Sequence, residues 1–245
     1  QHLLVHAVPL SLSTGQGGSV CVFEDITPLH QLEKIRKEFV ANVSHELKTP
    51  LTNILGYAET LREGAWQDLT TANRFLEKIV KNALQLKNLV EDILKLSEIE
   101  SERMEKRRDS LSLIDLVGRI RGHFEEKIQK KRLNFQAKIP ETLKVTSDAA
   151  ALNQILENLV DNAIKYTPEG GQITVAAQHF DSGCEITIAD TGIGITKEDI
   201  PRIFERFYRV DKARSREMGG TGLGLAIVKH LIQAHGGEID VESKL

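Results

Sequence analysis

The sequence predicts an α+β chain, an antiparallel helical hairpin followed by an α/β domain, with the remnant of a sheet in front. Three observations carry this. Apolar residues step by three and four from Leu32 to Leu61 and again from Phe75 to Ile99, the seam of an amphipathic helix each time. A run dense in charge, Glu100 to Ser110, then interrupts the pattern. Beyond it helical and strand-like runs alternate, as they do in a sheet layered with helices. With 245 residues, 40% of them hydrophobic and 27% charged, the chain has length for one or two domains with real cores.

The elements follow in order. Residues 1–27 alternate apolar and polar in two runs, Leu3 to Leu12 and Ser19 to Phe23, around Thr14-Gly15-Gln16-Gly17-Gly18, which reads as a β-hairpin. Two strands alone are marginal in water, so this hairpin reads as the end of a larger upstream sheet. The chain starts on Gln1 and stops at Leu245 inside a strand-like run, and so reads as a fragment at both ends. The first seam, Leu32, Ile35, Phe39, Val43, Leu47, Leu51, Ile54, Ala58 and Leu61, predicts a helix of about 50 Å. Gly64 to Thr70 breaks it, and Phe75, Ile79, Ala83, Leu86, Val90, Ile93, Leu96 and Ile99 form the second seam. Two such helices cannot cover each other's apolar faces fully, so a homodimeric four-helix bundle is expected.

The expected division is a sheet remnant at 1–27, the hairpin at 28–103, a linker at 104–111 and an α/β domain at 112–245. Within that domain, helices near Leu111 to Lys131 and Asp148 to Tyr166 should alternate with strands at Asn134 to Lys138, Gly171 to His179, Cys184 to Asp190 and Glu238 to Val241. They would form one sheet with helices on one face.

Composition excludes several functions. A formal charge of -3 gives no global case for nucleic acid or a membrane surface, so any phosphate binding must be local. Cys21 and Cys184 stand far apart, without the spacing of a zinc site or a disulfide framework, which fits a reducing cytosol. No apolar run approaches the roughly 18 residues of a membrane span.

Four motifs carry chemistry. His45 lies outward from the seam residues Val43 and Leu47 at about 100° per residue, so a core role is disfavoured. A neutral imidazole has one nucleophilic nitrogen, and a carboxylate that accepts the other N–H raises its basicity; Glu46 is adjacent. Pro50 cannot donate to the carbonyl of Glu46, which should loosen the helix one turn on, and the Thr49 hydroxyl could position a water. In the second motif Asn158 and Asn162 share a helix face, with Lys165 one turn further; an amide oxygen beside phosphates suits Mg²⁺. Third, Asp190-Thr191-Gly192-Ile193-Gly194 follows an apolar strand, an acid that can accept an amine hydrogen bond where backbone comes close to a flat ligand. Fourth, Gly219-Gly220-Thr221-Gly222-Leu223-Gly224 opens a helix, a phosphate-favouring end. No Walker-type G-x-x-x-x-G-K-[ST] run is present. Between the two glycine motifs, Phe204 and Phe207 read as core anchors, Arg206 and Arg209 as phosphate contacts, and Lys212 to Met218 as a lid.

Taken together these motifs resemble the sensor histidine kinases of bacterial two-component systems. His45-Glu46-Leu47-Lys48-Thr49-Pro50 resembles their phosphoacceptor box, Asn158 to Asn162 the N box, Asp190 to Gly194 and Gly220 to Gly224 two glycine boxes, and Phe204 to Phe207 the F box. The run Phe39 to Leu51 is most similar to the phosphate-sensing PhoR and cell-wall WalK branch. Residues 1–27, ending in Glu24-Asp25-Ile26-Thr27, look like the last strands of a PAS sensor domain.

The resemblance implies a GHKL or Bergerat-type ATP-binding sandwich and autophosphorylation of His45 from ATP, with Glu46 as base and Thr49 serving a phosphatase activity. It also implies Mg²⁺ on Asn162, with Asn158 and Lys165 near the phosphates and Tyr166 and Asp190 at adenine. Gly192, Gly194, Gly220, Thr221, Gly222, Leu223 and Gly224 would shape the pocket. Implied partners are a second copy, giving a homodimer, and the receiver domain of a response regulator, with the parent protein at the cell membrane and this portion in the cytoplasm. The departure is at the end, where the family's final strand and a further glycine box are absent, which would weaken ATP binding in this piece. Two alternatives stand beside this: a gyrase-type ATPase, which needs a glutamate where Asn158 stands, and a non-catalytic dimerisation and docking module, a pseudokinase.

Overall fold

The computed structural model describes residues 2–11, 17–100, 108–180, 183–211 and 219–245. The hairpin forms from β1 (Leu3–Ser11) and β2 (Gly17–Asp25), paired antiparallel with Leu3 opposite Asp25. The Thr14 to Gln16 part of its turn lies outside the described residues. Its end is tied to the helix that follows: the Thr27 amide donates to Asp25 Oδ1 at 2.9 Å and the His2 amide donates to Thr27 Oγ1 at 2.8 Å.

Helix α1 (Thr27–Arg62) runs through Pro50 without a break in assignment, with the proline itself buried. Its 36 residues span about 54 Å. A short 3-10 turn (Ala65–Gln67) leads to α2 (Leu69–Glu100). The two helices pack together through Tyr57 on Phe75, ring centroids 5.4 Å apart, and an Asn53 to Asn82 hydrogen bond of 3.2 Å. A stripe of α1 and α2 remains open: Leu32, Ile35, Leu51, Leu55, Leu76, Val80 and Leu84 are each at least half exposed.

The α/β domain differs from expectation at three places. The run from Leu111 is not one helix: β3 (Asp109–Ser112) comes first, then α3 (Leu113–His123), then α4 (Glu125–Lys130) after a break at Phe124. Ser112 is the helix cap, accepting from the Asp115 amide, so the residues placed in the linker partly form a strand, paired with β5 (Lys144–Ser147). Second, the described strands of the domain do not form a single sheet. β3 and β5 form one pair, and β4 (Asn134–Lys138), β6 (Gln172–Phe180) and β7 (Gly183–Asp190) form another sheet in the order β4-β6-β7. Third, no strand is found at 238–241. Ile239, Val241 and Ser243 are half-buried between exposed neighbours, which is the alternation that suggested a strand, but the backbone makes no ladder among the described residues. The segment is held instead by the Ile195 amide donating to Ser243 Oγ at 2.9 Å.

The core lies between the strands and helices α3 and α5 (Ala149–Tyr166), around Leu113, Val117, Ile120, Leu156, Val160, Ile173 and Val175. A second cluster joins the two halves of the chain. Leu89 and Leu96 of α2 pack with Ala151 of α5 and with Leu223, Ile227 and Leu231 in and before α6 (Gly224–Ala234), flanked by Phe39 and Leu47 of α1.

Candidate functional site

His45 sits on α1 with its side chain exposed, as the helical arithmetic required. Thr49 Oγ1 donates to the His45 carbonyl at 3.2 Å, so the hydroxyl is anchored one turn from the imidazole. The neighbouring Glu46 points the other way, into the contact between the helices and the α/β domain. There its carboxylate accepts from Arg209 at 2.9 Å, with only 15% and 5% of the two side chains exposed. Two positions more than 160 residues apart in sequence are thereby brought together. Arg206 lies over the Phe39 ring at 5.4 Å and 3.3 Å from His230 Nε2.

Helix α5 is capped by Asp148, whose carboxylate accepts from the Ala151 amide at 2.8 Å. Asn158 and Asn162 stand one turn apart on it, both half-buried. The Asn158 amide donates to the Gln154 carbonyl at 3.0 Å, and its oxygen faces Gly224 at the start of α6. Asn162 makes no side-chain hydrogen bond among the described residues. Lys165 is engaged: its ammonium is 2.6 Å from Asp161, which also binds Lys127 at 2.9 Å. Burial pushes the Asp161 carboxyl up, but the two lysines outweigh it and hold it below the usual carboxylate range.

The loop after β7 folds back on the end of α5. Asp190 Oδ1 accepts from the Gly192 amide at 2.7 Å and the Ile193 amide donates to the Tyr166 carbonyl at 3.3 Å. Position 192 must be glycine, because a Cβ there would stand 2.4 Å from Asp190 Oδ1 and 3.0 Å from the Tyr166 carbonyl oxygen. Gly194 lies against the carbonyl of Lys244.

In the second glycine loop, Gly222 has φ +76° and its carbonyl accepts from the Phe207 amide at 2.8 Å. Phe207 is itself left-handed at φ +63°, an arrangement a bulky residue takes only when its surroundings hold it. Its ring meets Phe39 of α1 at 5.8 Å, so its anchor is the contact with the helical hairpin. Leu223 is fully buried, so only its backbone can meet a ligand; its amide donates to Thr221 Oγ1 at 3.2 Å. That hydroxyl donates in turn to Asp92 of α2 at 2.7 Å. The expected lid at 212–218 lies outside the described residues.

The sequence reading did not single out Asp92. It falls on the buried seam, three residues after Leu89 and one before Ile93, and an acid at a seam position was the signal available. Burial pushes its carboxyl up, against the Thr221 hydrogen bond and the charges of Lys165 and Lys95. Lys131 also went unnoticed; its ammonium closes the end of α5 on three carbonyls.

Two family models match the chain, "His Kinase A (phospho-acceptor) domain" over residues 35–102 and "Histidine kinase-, DNA gyrase B-, and HSP90-like ATPase" over residues 147–245. The chain is 41% identical over 229 residues to the sensor histidine kinase WalK of Bacillus subtilis, covering 92% of this chain and 37% of that protein. It is 36% identical to the phosphate regulon sensor protein PhoR of Pseudomonas aeruginosa, covering 94% and 52%. The chain thus spans between a third and about half of these relatives. Among solved structures, the histidine kinase ThkA in complex with the response regulator protein TrrA superposes with a TM-score of 0.67 at 26% identity, covering 95% of this chain and 68% of that one.

Proposed function

Because the chain belongs to the sensor histidine kinases, with an ATP-binding domain of the kind they share with gyrase, we propose that it phosphorylates its own His45 from ATP and passes the phosphoryl group to an aspartate of a response regulator. The observation that carries this is the exposed His45 on a helix against which the α/β domain, with its asparagine and glycine motifs, is docked. A ring nitrogen of His45 attacks the γ-phosphorus, the bond to the β,γ-bridging oxygen breaks, and ADP leaves. The chemistry asks of the protein chiefly positioning and charge screening.

The chain's residues divide that work. Asp190 accepts the adenine amine, with Tyr166 alongside. Asn158, Lys165 and the amides from Gly220 to Gly224 face the phosphates. The amide oxygen of Asn162 suits a hard cation, and Mg²⁺ there would offset negative charge on the transferring group. Glu46 acts as the base that assists His45, and Arg209 contacts phosphate once it leaves Glu46, so the α/β domain must move off the ion pair before transfer. Thr49 would orient a water for dephosphorylation of the regulator.

On this reading residues 28–103 form the phosphotransfer unit and 109–245, from β3 on, the nucleotide domain, with 1–27 the end of a PAS-like sensor and 104–108 the joint between the two. The open apolar stripe on α1 and α2 is the face a second copy covers to complete a four-helix bundle. Among the described residues no helix is long and apolar enough to cross a membrane.

The test is transfer of label from radiolabelled γ-phosphate of ATP with Mg²⁺ onto the chain and onto His45→Gln. Acid-labile, alkali-stable label that disappears in the variant is expected. Label that persists in His45→Gln would remove the nucleophile assigned here.

A further inference from the structure

Resting on the proposed nucleotide site, we infer that Lys131, which lies in none of the motifs, is a positioning residue for adenine recognition. Its half-buried ammonium donates to three carbonyl oxygens at the end of α5, those of Ile164 at 2.7 Å, Lys165 at 2.9 Å and Thr167 at 2.9 Å. The last carbonyls of a helix have no N–H of their own helix to meet, and a cation there satisfies them and complements the negative end of the helix. Lys131 thus takes the place of the missing turn.

That end of α5 is what the adenine loop is built on. The Tyr166 carbonyl lies between two of the three carbonyls Lys131 binds, and it receives the Ile193 amide and bounds the space at Gly192. Gly192 in turn donates to Asp190 Oδ1, the carboxylate that would read the adenine amine. The backbone of Lys131 repeats the same tie: its carbonyl accepts from the Gly170 amide at 2.9 Å, in the turn that leads into β6. A single residue after α4 therefore fixes both the end of α5 and the entry to the strand beside β7. Removing the ammonium leaves three oxygens without their donor, and the loop that rides on them shifts relative to the phosphate-facing residues further back on α5.

The prediction separates position from stability. Titrate ADP and GDP calorimetrically into the wild type, Lys131→Met and Lys131→Arg of the whole chain, with thermal denaturation alongside. Lys131→Met should weaken ADP at least tenfold while GDP weakens less than threefold, collapsing the adenine preference, and Lys131→Arg, which keeps charge and donors, should recover most of it. A general loss of folded protein would lower both nucleotides alike. If Lys131→Met does not fold, Lys131→Gln, which keeps two N–H donors, is judged by the same ratio. An unchanged ratio of ADP to GDP affinity in a folded variant overturns the inference. Failure of the wild type to bind ADP would instead overturn the nucleotide site on which it rests.

Discussion

Replacing Glu46 by glutamine should release the α/β domain from the helical hairpin, because it strands the charge of Arg209. At 2.9 Å the gross attraction is about 6 kcal/mol at an effective dielectric of 20. With 15% and 5% of the side chains exposed, water screens little of it, but desolvation offsets most of the gain. Removing one partner of such a pair costs about 3 to 5 kcal/mol, since the other charge stays buried. The low end applies here: Arg209 Nε has no hydrogen-bond partner among the described residues, so they do not fully satisfy the guanidinium even when docked. Glu46→Gln should therefore weaken docking by about 3 kcal/mol. Arg209→Met should cost less, about 1 to 2 kcal/mol, because the remaining carboxylate can turn toward water. The coupling in the double-mutant cycle should be about 2 kcal/mol. Docking is followed in urea by energy transfer between dyes on cysteines introduced at the exposed Lys37 and Gln233, with Cys21 and Cys184 replaced by serine. A coupling below about 0.5 kcal/mol would refute the reasoning and reduce the pair to a bystander of the apolar contact.

Two further outcomes follow. Gly192→Ala pushes a methyl group into Asp190 Oδ1 and the Tyr166 carbonyl; ADP affinity by calorimetry should fall at least tenfold with little change in melting temperature, and a change under threefold would contradict the loop geometry. Asp92→Asn tests the buried acid: its native carboxyl binds a proton more tightly than the unfolded chain does, so this group's contribution to stability is full below the ordinary value of 3.8 and is lost as pH rises through the raised native value. The amide still accepts from Thr221 and does not titrate, so the variant should melt higher than wild type at pH 7 and converge with it near pH 4; a difference independent of pH would show that Asp92 does not carry the effect.

Much of the fold was legible because periodicity reports burial. The spans of α1, α2 and α5, and β4, β6 and β7, lie where the apolar spacing put them. The failures share one cause. Asp109 to Ser112 and Lys144 to Ser147 are strands of four residues with one apolar position each, too short for a period to emerge, and they exist because they pair with each other. Residues 239–243 alternate in burial without pairing at all, which no pattern of side chains can distinguish from a strand. In the site, single motifs located His45, Asn158, Asn162 and Asp190, whereas Arg209 on Glu46 and Thr221 on Asp92 depend on the docking of two distant segments. Local spacing holds no record of such a contact.

The docked α/β domain touches both helices of the hairpin at once, Glu46 on one and Asp92 on the other. It therefore acts as a gauge of their registry. A relative slide of two residues, ~3 Å along the axis, cannot be followed by a single rigid body at both points, so one of the two short polar contacts must open. The pair of helices can bend or turn together without disturbing the domain they carry, but they cannot shear past one another while it stays seated.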